Sequence, residues 1–157
     1  MAMLFRKLPQ LKGKINLDIG CGEKKQPGYI GIDIRDCGQE IIWDVRNGIP
    51  LPDNSVDSVI SIHFIEHLTN DEALKLFDDV YRILKPGGTM FNVVPHVDDP
   101  AAYYFDHETF WNESRITALE RVEGFKFKVT KNHKTSRMIQ IDGALREFYE
   151  LIFELKK

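Results

Sequence analysis

The stretch LDIGCG (17–22) decides the fold. It closes a short apolar run, INLDI (15–19), with an acid and two glycines. Glycines in such a turn let backbone pass close to a ligand, and Asp18 offers a carboxylate to a cationic or hydroxyl group. A lone G-x-G also serves ordinary turns, so its weight comes from its neighbours. YIGIDI (29–34) is a second apolar run, bounded upstream by Pro27-Gly28 and ending in Asp33, before Ile34. EIIWD (40–44) is a third and ends in Asp44; VDSVISI (56–62) and TMFNVV (89–94) complete five β-rich runs. Three successive strands ending in Asp at one sheet edge describe a ligand site, because open α/β sheets bind ligands beyond the carboxyl ends of their strands. A carboxylate placed like Asp33 can accept both hydroxyls of a ribose. Its plainer role is that of a turn residue before Arg35 and Asp36.

Helical patterns alternate with these runs, as an α/β domain requires. Thr69 and Glu72 have capping-box spacing, and Ala73, Leu76, Phe77, Val80, Ile83 and Leu84 then repeat at three and four. Pro86-Gly87 stops that helix. A second helix is expected over 113–122, with Ile116, Leu119 and Val122 inward. Phe125, Phe127 and Val129 alternate as a strand; 131–136 reads as a turn and 137–141 as its returning strand. Leu145, Phe148, Tyr149, Ile152 and Leu155 are spaced for a last helix over 143–157.

The chain has 157 residues, 24 acidic and 21 basic, a formal charge of −3 and 43% hydrophobic residues. That composition is globular, and the length suits one domain, residues 1–157. No apolar run reaches the ~18–20 residues of a membrane span. The opening residues lack the ~7–15-residue apolar stretch of a signal peptide. Cys21 and Cys37 form neither a disulfide framework nor a CxxC pair, so a reducing, cytoplasmic setting is expected. A pI near 6.0 argues against broad nucleic-acid binding.

Four stretches together resemble the class I S-adenosylmethionine-dependent methyltransferases, specifically their small type 11-like domains. They are LDIGCG (17–22), YIGIDI (29–34), WDVRNGIPLPDNSVDSVISIHFIEHL (43–68) and VYRILKPGGTMFNVVPH (80–96). The resemblance implies a Rossmann-like, doubly wound, mostly parallel seven-stranded sheet with a C-terminal antiparallel hairpin. It implies S-adenosylmethionine as cofactor and S-adenosylhomocysteine as product. By position, Asp18, Gly20, Cys21 and Gly22 would hold the methionine end, Asp33 the ribose, and Ile34 the adenine face. Asp44 and the backbone of Val45 would read the adenine edge, and His63 would lie beside the sulfonium. The cofactor half would span about 13–96, an acceptor loop about 97–111, and a hairpin and helix about 125–157.

Two departures stand out. Lys24 occupies the place of a third glycine, and only nine residues, 21–29, join the first two strands. A parallel crossover usually takes a dozen or more, with a helix. The connection 45–55 also lacks a helical period. The helices between strands one and two and between three and four should therefore be short or missing. The N-terminal segment, the C-terminal helix or a second subunit in a homodimer would then cover the sheet.

Methyl transfer from a sulfonium is an in-line displacement in which alignment outweighs base catalysis. His67 and His96 are the candidate bases, and Glu66-His67 has a plain loop-organising role as its alternative. The loop VDDPAAYYFDHETFW (97–111) carries five of the chain's 17 aromatics. Tyr103, Tyr104 and Trp111 are its acceptor candidates, unless the aromatics simply pack beneath it. His96, Asp98, Asp99 and His107 are metal-compatible types, but loop acids need no metal, and none is expected. No Asn/Asp-Pro-Pro-aromatic tract follows the fourth strand, which disfavours base-amino methylation of nucleic acid. Lys126, Lys128, Lys131, His133, Lys134 and Arg137 read as a solvated face. The preferred acceptor is a small-molecule or saccharide oxygen or nitrogen. The alternatives are a non-catalytic S-adenosylmethionine-binding partner domain and, more weakly, an NAD-dependent oxidoreductase, which lacks its third glycine and helix here.

Overall fold

The computed structural model describes residues 4–5 and 13–157. In chain order the elements are strands Leu4–Phe5 (β1), Asn16–Ile19 (β2), Ile30–Asp33 (β3), Ile41–Ile42 (β4) and Val56–Ile62 (β5), then helix Asn70–Ile83 (α1). Strand Leu84–Pro95 (β6), helix Glu113–Leu119 (α2) and strands Lys128–Ile141 (β7) and Ala144–Lys156 (β8) follow. Single 3-10 turns occupy Val45–Asn47, Ile65–His67 and Pro100–Tyr103. One sheet contains all the strands, in the order β1-β4-β3-β2-β5-β6-β8-β7. β4, β3, β2, β5 and β6 are parallel, and β8 and β7 complete the sheet as an antiparallel hairpin. From residue 15 onward the sheet has the seven strands expected in number, though the last two are not the segments expected; β1 adds an antiparallel eighth beside β4. Chain direction across the sheet reverses between β2 and β5, which is where such sheets bind ligands.

Alternation along the strands sends Leu17, Ile19, Ile32, Val59, Met90, Leu151, Phe153 and Leu155 to one face, all buried. α1 covers them with Ala73, Leu76, Phe77, Val80 and Ile83, and α2 with Ile116 and Leu119. Full burial of each large apolar side chain contributes roughly 1.5–3 kcal/mol. α1 starts at Thr69, where the expected capping box is complete. The opposite face, with Ile60, Ile62, Phe91, Val93 and Ile152, is only half-buried, and no helix among the described residues covers it.

The short connections are real, and side chains hold them. Gln26 N–H donates to Asp18 Oδ2 (2.8 Å), Gly22 N–H to Asp33 Oδ2 (2.9 Å), and Gly31 N–H to Glu40 Oε2 (2.8 Å). Lys25 Nζ then ties its loop to Glu40 Oε1 at 2.6 Å. Across 45–55, Arg82 of α1 donates to the carbonyls of Ile49 and Leu51, while Asp79 accepts from the Ile49 N–H. These bonds satisfy backbone groups that a crossover helix would satisfy internally.

The C-terminus differs from expectation. Residues 128–141 form one unbroken strand rather than two with a turn, and 144–156 is a strand rather than a helix. Asp142 (φ 50°) and Gly143 (φ 80°) form the two-residue turn joining them, the Asp-Gly pair that a hairpin prefers. The helical spacing is overridden by alternate burial of Leu151, Phe153 and Leu155 between two neighbouring strands, whereas Leu145 is exposed. A C-terminal helix therefore does not cover the sheet. The fifth expected strand also starts earlier, at Leu84 directly after α1, and α2 ends at Leu119 rather than 122.

Candidate active site

Three adjoining depressions run along the carboxyl ends of the parallel strands. The first lies beyond β3 and β4 and is lined by Gly20, Ile32, Asp33, Ile34, Trp43, Asp44, Val45, Arg46, Phe64, His67 and Leu68. Asp33 caps β3: its Oδ1 accepts from Arg35 N–H (2.9 Å) and its Oδ2 from Gly22 N–H. Those bonds fix the carboxylate and leave further lone pairs at the mouth of the depression. Asp44 accepts from the Arg46 N–H and guanidinium, and this pairing holds its carboxyl below the usual range. Phe64 packs on Gly20 so closely that a Cβ there would lie 2.2 Å from its ring, and Gly20 itself has φ 66°. Glycine is therefore required at that position.

The second depression, beyond β2 and β5, contains Asp18, Gly20, Cys21, Lys24, Gln26, Ile62, His63, Val93, Arg137 and Glu150. Burial pushes the Asp18 carboxyl up, a cost that a cationic ligand would offset. Burial, followed by Asp18 and Asp33, pushes the Cys21 thiol up to about 12. The third depression lies beyond β6 and the hairpin, lined by His63, Glu66, Pro95, Asp99, Tyr104, His107, Arg137, Ile139, Phe148, Tyr149 and Glu150, with Ala101.

His63, Arg137 and Glu150 line both the second and third depressions. His63 follows β5 with φ 51°, a strained backbone for a non-glycine residue, and its N–H donates to the Val93 carbonyl. Its Nε2 is 2.9 Å from Glu150 Oε1, which also meets Arg137 at 2.7 Å. Its Nδ1 is 3.4 Å from Glu66 Oε1, an ion-pair distance rather than a hydrogen bond. The Glu66 carboxylate, with Glu150 behind it, raises the His63 pKa against the opposing effect of burial.

The expected residues fall into two groups. Asp18, Gly20, Cys21, Asp33, Ile34, Asp44, Val45, His63 and Tyr104 line the three depressions, while Gly22 holds Asp33 from behind. The candidate bases are placed otherwise. His96 is 5% exposed; its Nδ1 accepts from Asp98 N–H and its Nε2 bonds Glu113 at 3.0 Å, so both nitrogens are engaged in structure. His67 lines the first depression and not the third, although its ring meets that of His107 edge to face. Trp111 is 1% exposed and stacks on Phe153, because the loop needs an apolar foot in the core; it is not a surface for an acceptor. Tyr103 is exposed and packs on Phe110 outside the depressions. The set His96, Asp98, Asp99 and His107 is also taken apart: Asp98 pairs with Lys134, and Asp99 accepts from the N–H groups of Ala101 and Tyr149. Sequence reasoning missed Glu150 and Arg137, which meet His63 only because β8 is a strand with Pro95 opposite Glu150.

Residues 17–92 match the family model described as a methyltransferase domain. The chain carries a class I S-adenosylmethionine-dependent methyltransferase domain. The chain is 29% identical over 147 residues to a protein of Mycolicibacterium smegmatis described as a probable S-adenosylmethionine-dependent methyltransferase, covering 75% of this chain and 54% of the relative. It is 32% identical over 103 residues to a tRNA (carboxymethyluridine(34)-5-O)-methyltransferase of Arabidopsis thaliana, covering 56% and 25%. The chain thus spans about half the length, or less, of these curated relatives. A crystal structure of a SAM-dependent methyltransferase from Archaeoglobus fulgidus superposes with TM-score 0.66 at 19% identity, covering 95% of this chain and 89% of that one. A methyltransferase from Haloferax volcanii in complex with the activator Trm112 superposes with TM-score 0.65 at 18% identity, covering 92% and 82%.

S-adenosylmethionine is the cofactor of such a methyltransferase domain, and the chemistry of these residues fits it. A buried carboxylate in the middle depression suits the cationic methionine end. A carboxylate at the end of β3 suits a ribose, and the Ile32, Ile34, Trp43 and Val45 side suits a planar base.

Proposed function

We propose that the protein transfers a methyl group to an oxygen or nitrogen of a small-molecule or saccharide acceptor bound in the third depression. The observation that carries this reading is the shared wall of His63, Arg137 and Glu150 between the methionine and acceptor sides. When bound, S-adenosylmethionine supplies an electrophilic methyl on a positively charged sulfur. Asp33 takes the ribose hydroxyls, Ile34 and Val45 flank the adenine beside Asp44, and Asp18 faces the methionine ammonium. Orientation of two reactants can contribute ~7–11 kcal/mol, so the residues that hold them matter more than a strong base. Glu150, fixed by His63 and Arg137, is placed to accept the acceptor's hydrogen bond; Tyr104, Phe148 and Ile139 supply an apolar wall.

A second reading, a tRNA acceptor, is favoured by the description of the Arabidopsis relative as a tRNA methyltransferase. Against it, four of the cations beside and on the hairpin are paired: Lys126 with Asp78, Lys131 with Glu154, Lys134 with Asp98 and Arg137 with Glu150. Paired cations have few charges left for phosphates.

Calorimetric titration with S-adenosylhomocysteine and NAD, followed by transfer of a labelled methyl across small alcohols, amines, saccharides and bulk tRNA, tests these readings. Tight S-adenosylhomocysteine binding with label in a small acceptor is the expected result. Label in tRNA selects the second reading, binding without transfer to any acceptor leaves a non-catalytic binder, and preferential NAD binding overturns the assignment. Asp33→Ala should weaken S-adenosylhomocysteine at least tenfold, and unchanged affinity would remove the ribose role.

A further inference from the structure

Glu66 is the most unusual buried group in the molecule. Its side chain is 2% exposed and lines the acceptor depression, yet neither carboxylate oxygen has a hydrogen-bond partner. A buried unpartnered carboxylate costs several kcal/mol unless something positive meets it. His63 Nδ1, at an ion-pair distance of 3.4 Å from Oε1, balances part of that charge without a hydrogen bond, and Oε2 has no partner.

Two histidines converge on the same point. One potential ligand atom each from Glu66, His67 and His107 lies within 4.8 Å of the others. The imidazoles stand edge to face with centroids 4.7 Å apart. His67 Nδ1 is 3.0 Å from the Asp106 carbonyl oxygen, and His107 Nδ1 is 3.2 Å from that of Ala102. A carbonyl can only accept, so each Nδ1 carries the proton and, in the neutral ring, each Nε2 presents a lone pair. Backbone carbonyls orient metal-ligating histidines in this manner. The framework is also fixed: Glu108 and Thr109 N–H groups both donate to the Glu66 carbonyl (2.8 and 3.0 Å), and Trp111 Nε1 donates to Thr109 Oγ1 (2.9 Å).

We infer that Glu66, His67 and His107 form a binding site for one divalent transition-metal cation of the Zn²⁺ class, with its open coordination positions toward the acceptor depression. Two imidazoles and one carboxylate are a borderline donor set that favours Zn²⁺ or Co²⁺ over Mg²⁺, and three protein ligands leave positions for water or an acceptor oxygen. Use of those positions by an acceptor rests on the reading of the third depression given above. Cation binding does not.

The full chain, stripped with chelator, is titrated calorimetrically with ZnCl₂ and MgCl₂, and optically with CoCl₂. The expected result is one Zn²⁺ per chain, a visible Co²⁺ absorption of low-coordinate type, and no comparable Mg²⁺ binding. Glu66→Gln and His107→Ala should each lower Zn²⁺ affinity at least a hundredfold and abolish the Co²⁺ absorption, whereas His133→Ala should leave both unchanged. His107 lines neither cofactor depression, so His107→Ala should still bind S-adenosylhomocysteine, which reports a folded domain. Absence of Zn²⁺ binding by the parent chain, or Zn²⁺ affinity unchanged in both ligand variants, would overturn the site. Failure of S-adenosylhomocysteine to bind the parent chain would instead overturn the methyltransferase reading.

Discussion

In the proposed cofactor site, Asp18 would serve a ligand at the expense of the fold. Its carboxyl is shifted upward by burial, so the folded chain holds that proton more tightly than the unfolded chain does. Ionising it therefore subtracts stability as pH rises from the unfolded value near 3.8 through the folded value, and the full penalty persists at neutral pH. Asp18→Asn keeps an oxygen for the Gln26 N–H. It should hold or raise the melting temperature of the ligand-free protein at pH 7, and weaken S-adenosylhomocysteine at least tenfold, about 1.4 kcal/mol. A variant that is less stable and binds equally well would refute the trade. Cys21 gives a second test: a thiol pushed up to about 12 is ionised roughly one part in ten thousand at pH 8. Iodoacetamide with mass mapping should label the more exposed Cys37 well before Cys21. Residues such as Asp18 and Asp33 were legible because a strand-end acid beside glycine is a local pattern. Glu150 and Arg137 were not, because their roles depend on which distant strand lies beside β6.

Among the elements, α1 was the most legible, since its cap, its apolar period and its stop signals all agree. Thr69→Ala removes one half of the capping box and should cost about 0.5–2 kcal/mol, read as a lower urea midpoint with an unchanged slope. The C-terminal strand was the least legible. Its apolar residues fit a helical period as well as alternation, and only the Asp-Gly pair before it marks a hairpin. Its position gives it more weight than a terminal helix would have had. β8 hydrogen-bonds β6 on one side and β7 on the other, and buries Leu151, Phe153 and Leu155 completely. Removing residues 144–157 should therefore abolish the folded state, seen as loss of cooperative unfolding by circular dichroism. A stable truncated form would contradict the strand.

Across the whole molecule, acids modestly outnumber bases, and four cations on the hairpin side, Lys126, Lys131, Lys134 and Arg137, are each matched by a neighbouring carboxylate. The protein should elute from a heparin column well below physiological salt; firm retention above it would favour the tRNA reading. The side of the sheet proposed to bind cofactor depends on contacts close in sequence, whereas the proposed acceptor side is assembled from segments far apart. The arrangement β6-β8-β7 also constrains biosynthesis. A ribosome releases β7 before β8, yet β7 has no place in the sheet until β8 has paired with β6. The sheet therefore closes from within, since the last strand made is the one that admits the strand made before it. The proposed acceptor wall, with Arg137 and Glu150 on those two strands, is then the last part to form, so a chain stalled before β8 would have neither a complete sheet nor that wall.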